Sequence, residues 1–205
     1  MEKTDSFMRY LARCKAPENS HHLYTGRSRA VQVRKHNLRQ YLNHFANSSP
    51  EVLLVGEAPG YRGCGTTGIP FTSERLLEEH PFFKLGGYQL NSKGVPHSES
   101  SATIVWEVIS SLHTLPLLWN SYPFHPHKPG IEQSNRMPNE EELFVGRKVL
   151  GRLIRDFPPK RIIAVGKKAE KQLVRMKVNF ASVRHPSFGG KKDFQEGLLQ
   201  ECKNI

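Results

Sequence analysis

The sequence predicts an α/β protein: a three-layer α/β/α domain around a central, mostly parallel sheet of four strands. Two observations carry this. Four short apolar runs, EVLLVG, LPLLWN, RIIAVG and VNFASV, have strand length and are rich in leucine and β-branched residues. Stretches with helical spacing of apolar residues alternate with them, and strands alternating with helices imply a mostly parallel sheet covered on both faces.

Taken in order, residues 1–48 mix charged and aromatic positions and read as two helices joined by a polar loop around Pro17 to Gly26. In the second, Val31, Leu38, Leu42 and Phe45 fall at helical spacing. EVLLVG, 51–56, is the first strand, closed by glycine, and a glycine-rich loop follows it. TSERLLEEH, 72–80, is a helix capped by Thr72 or Ser73. Residues 81–100 form a polar, glycine-bearing connector, and SATIVWEVISSL, 101–112, a further helix. The apolar run from 115 ends in Asn120, and FHPHKPGIEQSNRM is a long loop. Asn139 with Glu142 makes a capping box that opens an amphipathic helix. The strand RIIAVG (161–166), the helix KKAEKQLVRM, the shorter strand VNFASV (178–183), the loop RHPSFGGKKD and a last helix follow.

A chain of 205 residues supports one domain over 1–205, with the N-terminal helical segment packed on it. Its net charge is +11 at pH 7 with ten histidines counted neutral, which points to a polyanion. Neutralising phosphates releases condensed counterions and drives binding to nucleic acid. The three cysteines, Cys14, Cys64 and Cys202, lie far apart with no CxxC pair, so a reducing compartment is expected, cytoplasmic or nucleoid-associated, or nuclear in a eukaryote. No stretch approaches the roughly 18 continuous apolar residues of a membrane span, and MEKTDSFMRYLARCK has no apolar core of a secretory signal. A soluble monomer without metal or organic cofactor is expected.

Ligands of such sheets bind outside the carboxyl ends of the strands, so the loops at 56–71, 120–130 and 184–192 are expected to converge. The glycine loop lacks the lysine of G-x-x-x-x-G-K-[ST], which argues against an ATP or GTP site. Phe71 can stack on a flat base or anchor the loop in the core. The carboxamide of Asn120 has one acceptor and two donors, suited to the polar edge of a pyrimidine. His185 in RHPSFGG can donate to an oxygen that gains charge during a reaction. His125 and His127 lack partners at metal spacing and read as solvated or phosphate-facing loop residues.

Together, GEAPG at 56–60, GIPF at 68–71, Asn120 and HPS at 185–187 resemble the uracil-DNA glycosylase superfamily over roughly residues 50–200. GEAPG looks like the family 4 enzymes, whereas the spacing G-x-x-G-x-x-x-T-G-x-x-F-T and the later NRMPNEEE look like family 5. The resemblance implies a monofunctional DNA glycosylase that flips uracil or a related deaminated base from the stack and hydrolyses its N-glycosidic bond. It implies that the backbone of Gly56, Ala58, Pro59 and Gly60 lines the base pocket, Phe71 stacks on the base, Asn120 reads its edge, and His185 stabilises developing charge. Ser187, Phe188, Gly189, Lys191 and Lys192 are the DNA-contacting set this implies, with Phe188 the nearest wedge.

Three departures qualify the match. Ala58 stands where the best-known members carry a water-activating aspartate, and the loop lacks the acidic pair typical of family 4, Gly63 and Cys64 standing near those positions. Glu57 is then the one carboxylate in the loop before Glu74, to orient water or shape the pocket. Three scattered cysteines cannot build the four-cysteine iron–sulfur cluster of families 4 and 5, so a cluster-free protein is expected. Phe188 is offset from His185 differently from the usual wedge. Two other classes stay open: a DNA-binding member without catalysis, and a small-molecule nucleoside hydrolase, which would not need the positive charge.

Overall fold

The computed structural model describes residues 2–92 and 94–203. Helix α1 (Glu2–Arg13) is followed by a two-residue strand β1 (Ser20–His21) and by α2 (Arg29–Asn43), whose N-cap Ser28 accepts a hydrogen bond from the Val31 amide. The first strand of the main sheet is β2 (Val52–Gly56). The short helices α3 (Cys64–Thr67), α4 (Glu74–Glu79) and α5 (Pro81–Lys84) lead into α6 (Ser100–Ile109). Then come β3 (Leu117–Asn120), β4 (His125–Pro126), α7 (Glu140–Asp156), β5 (Arg161–Val165), α8 (Lys167–Met176), β6 (Ala181–Val183) and α9 (Lys191–Cys202).

The four long strands form one sheet in the order β3-β2-β5-β6, and every pairing is parallel. β2 is central and all five of its residues are buried, which is why VLLVG reads as a continuous apolar run rather than an alternating one. Right-handed crossovers put α6, on the β2-to-β3 step, on one face, and α7 and α8, which lead the other way, on the opposite face. An ion pair from Lys191 to Glu107 ties α9 to α6. The free edge of β3 is blunted by α2, where the Tyr41 hydroxyl donates to Pro116 O at 3.0 Å and accepts from the Leu118 amide at 2.8 Å.

The structure differs from the sequence expectation in local ways. The glycine loop and the 81–100 connector each contain a one-turn helix, α3 and α5. Phe45 lies beyond the end of α2, yet is buried in the core. The last strand begins at Ala181 rather than at 178. β1 and β4 pair antiparallel as a separate ribbon, and His125, expected in a solvated loop, is buried. Its ring nitrogens lie 2.8 Å from Pro59 O and 3.0 Å from Glu132 O, so it ties the two loops together. Among the described residues no helix is long and apolar enough to cross a membrane.

Candidate active site

The register of the central strands sets the site. Gly56, the last residue of β2, is opposite Asn120, the last residue of β3. A Cβ on Gly56 would lie 2.5 Å from Phe71 Cζ and 2.7 Å from Asn120 Oδ1, so a bare Cα here is what lets ring and carboxamide meet on one floor. Phe71 holds a left-handed backbone, φ 54°, with its carbonyl fixed by the Trp106 indole N–H at 2.9 Å. Asn120 is only 5% exposed, and its carboxamide makes no hydrogen bond among the described residues. A buried, unengaged carboxamide facing a cavity is a recognition group awaiting a polar partner.

The loop after β2 folds onto itself. The amides of Gly63 and Gly65 donate to Gly60 O, those of Thr66 and Thr67 to Gly63 O, and that of Gly68 to Cys64 O. These N–H groups face inward, so the loop is not a phosphate cradle. The Ser121 and Tyr122 amides donate to Gly56 O and Glu57 O, which ties the loop after β3 to the loop after β2.

His185 follows β6. Its Nδ1 accepts from the Ser187 amide at 3.2 Å, which leaves the proton of the neutral ring on Nε2. Burial pushes the imidazole below its ordinary value, favouring this neutral form. Two residues past Pro186, Phe188 is 99% exposed with φ 54°, its carbonyl accepting from Arg184 at 3.3 Å. Gly189 follows, also left-handed, and Lys191 and Lys192 begin α9, pairing with Glu107 at 2.5 Å and Glu196 at 3.8 Å.

These residues enclose a cavity of ≈ 210 Å³. Of the residues the sequence singled out, Glu57, Ala58, Pro59, Gly60, Phe71, Asn120 and His185 line it, while Gly56 lies behind Phe71. Ser187, Phe188, Gly189, Lys191 and Lys192 are outside it, on the same loop and helix start as His185. Only the ends of the 120–136 segment reach the cavity; its middle turns away through Lys128 and Ile131, which bridge each other.

The sequence assigns no role to four further lining residues, Glu99, Ser101, Asn135 and Arg136, although the last two open the NRMPNEEE element. Asn135 accepts from the Tyr61 amide at 3.1 Å. Arg136 places it there. Its guanidinium makes two 2.7 Å bonds to the buried Glu142 carboxylate and also donates to the carbonyls of His127, Asn19 and Met137. Glu142 is the N3 residue of the capping box with Asn139 that opens α7, so the signals in the sequence are that box and the NRMPNEEE element that contains it. Glu99 and Ser101 lie in a polar stretch with no pattern to mark them.

Glu57 also borders a second cavity of ≈ 530 Å³, walled by Lys168, Met137 and Gln172. Burial raises its carboxyl, and Lys168 partly opposes that shift. Among the described residues no three His, Cys, Asp or Glu side chains are grouped to hold a metal ion. The cysteines do not fit an iron–sulfur cluster: Cys64 is buried in the cavity wall, and Cys14 and Cys202 are free thiols elsewhere in the fold.

A family model for the uracil DNA glycosylase superfamily matches residues 43–202. No curated protein matches the chain. Among solved structures, that of wild-type Pedobacter heparinus SMUG2 superposes with a TM-score of 0.70 at 15% sequence identity, covering 98% of this chain and 97% of that one.

Proposed function

The chain belongs to the uracil-DNA glycosylase superfamily, and from that premise we propose that it is a monofunctional DNA glycosylase that extrudes uracil or a related deaminated base and hydrolyses its N-glycosidic bond. One observation carries this reading: Phe71, the unengaged carboxamide of Asn120 and the Nε2–H of His185 line a single cavity at the carboxyl ends of parallel strands.

Each group has a part in that chemistry. A base reaches such a cavity only when flipped from the stack, and stacking on Phe71 offsets the cost by roughly 1–3 kcal/mol. Asn120 offers a donor and an acceptor to the edge of the base. As the bond to the sugar breaks, negative charge grows on the base oxygens, and a neutral His185 donating from Nε2 stabilises it in a site shielded from water. The backbone of Glu57 to Gly60 forms the wall that positions the base, and the Glu57 side chain shapes that wall. Phe188, exposed on the loop that carries His185, fits the gap left in the duplex, and Lys191 and Lys192 contact flanking phosphates. The net charge of +11 serves the same polyanion.

Ala58 favours a second reading, a DNA-binding member without catalysis, because its methyl group cannot activate water. Incubation with single- and double-stranded oligonucleotides bearing uracil, hypoxanthine or xanthine, followed by alkali, separates the two. Strand cleavage at the lesion supports the glycosylase. Salt-sensitive binding with no cleavage on any substrate supports the binding protein.

A further inference from the structure

The loop after β2 lacks a carboxylate at 58 and at 63, yet a second carboxylate besides Glu57 lines the cavity. A Cβ built on Gly63 would lie only 1.6 Å from Glu99 Oε2, so a carboxyl oxygen from a distant segment occupies the place where a side chain at 63 would begin. The same oxygen would be 3.6 Å from a Cβ on Gly60. We propose that Glu99 is the general base that holds and deprotonates the attacking water, a role that rests on the glycosylase reading above.

The two oxygens of Glu99 are in different states. Oε1 accepts from the Ser101 hydroxyl at 2.6 Å, while Oε2 has no hydrogen bond among the described residues, and Glu99 lines the cavity. Glu99 is the N-cap of α6, but its side chain makes no capping bond and is free to turn inward. The segment before it is held from below by the buried Glu74, whose carboxylate accepts from the amides of Asn91 at 2.9 Å, Ser92 at 2.7 Å and His97 at 3.4 Å. The Arg75 amide donates to His97 O at 3.0 Å. Such anchoring on both sides keeps a base in place before substrate arrives.

The other titratable groups around this cavity are Cys64, Glu57, His185 and Arg136. Arg136 is engaged by Glu142 and backbone carbonyls, and the Cys64 thiol is pushed up by burial and by Glu99 itself. Burial raises the Glu99 carboxyl and the Ser101 bond opposes it, giving a base stronger than a solvated carboxylate. In the reaction the water oxygen bonds to C1′ while its proton passes to Oε2. The C1′–N bond breaks with its electron pair on the base, and the proton returns from Glu99 to that base.

The test is single-turnover excision of uracil, and of hypoxanthine, by wild type, Glu99→Gln and Ser101→Ala across pH. Glu99→Gln is expected to slow excision on the order of 10²- to 10⁴-fold, with melting and DNA binding retained and the acid limb of the rate profile abolished. Ser101→Ala removes a bond that lowers the carboxyl, so its acid limb moves to higher pH. Active wild type with an unaltered rate in Glu99→Gln, or a slowed variant whose acid limb persists, overturns the assignment and leaves the glycosylase standing. Wild type that produces no abasic site on any base overturns the glycosylase reading, and the role of Glu99 with it.

Discussion

The backbone N–H of Ser187 donates to Nδ1 of His185 across 3.2 Å, and this one bond decides which ring nitrogen carries a proton into the cavity. Because burial holds the imidazole below its ordinary 6.5, the ring stays neutral and donating at neutral pH. In a folded state with a depressed histidine value, the unfolded chain takes up its proton first as pH falls. His185 therefore subtracts stability below about pH 6.5 and leaves it unaffected above. A proton titration of the His185 ring by NMR is expected to show a midpoint under 6.5. His185→Ala is expected to cut the rate roughly 10²- to 10³-fold with DNA affinity retained, the usual loss for one preorganised donor.

Gly56→Ala closes the floor of the cavity. Its Cβ would meet Phe71 Cζ at 2.5 Å and Asn120 Oδ1 at 2.7 Å, so ring and carboxamide must both retreat. Excision should fall at least about 100-fold, since small misplacements of positioning groups cost that much. Overpacking should lower unfolding stability by about 1–3 kcal/mol, read by denaturant titration.

Phe188 is 99% exposed, so Phe188→Ala should leave thermal stability within about 0.5 kcal/mol of wild type. A wedge matters only where a partner strand is stacked around the gap. Excision from duplex DNA is therefore expected to fall well below wild type while excision from a single strand is nearly unchanged.

Lys191→Ala with Lys192→Ala removes two charges from the start of α9, next to the His185 loop. DNA affinity should drop on all sequences alike. The slope of log affinity against log salt should shrink by about 1 for each phosphate that a lysine no longer neutralises. Fluorescence anisotropy over a salt series gives both values.

Arg136→Ala leaves the Glu142 carboxylate buried with no cation, having removed two 2.7 Å bonds and the anchor of the 127–137 segment. A loss of about 3–5 kcal/mol is expected, the cost of stranding one member of a buried pair. For a chain of this size that corresponds to a melting point roughly 6–20 °C lower.

Much of the site is readable because strand ends are readable. The run VLLVG has to be a buried parallel strand; Gly56 and Asn120 end such runs, and Phe71 and His185 lie in the loops after them, where parallel sheets present ligands. The Asn139–Glu142 capping box is equally legible, since both halves of it are local in sequence. His125 reads as solvated in the sequence because its partners, Pro59 and Glu132, supply backbone carbonyls that no residue type announces.

Glu99 and Asn135 belong to the other kind. Each lies in a polar segment without periodicity, and the backbone around each is captured by a side chain: Glu74 for the segment before Glu99, and Arg136, bound to the buried Glu142, for the segment around Asn135. The amino-acid order alone determined the alternation of strand and helix, the parallel sheet, the three loops at its carboxyl edge and the absence of a phosphate-binding lysine. Those follow from local periodicity and short-range chemistry. Tertiary packing decided that Glu99 joins Glu57 in the cavity wall, how deeply His185 is buried, and how closely Phe71 and Asn120 approach over Gly56. Such features depend on segments that lie tens of residues apart in the chain, and the bare Cα of Gly63 leaves a space that only the folded chain fills, with Glu99.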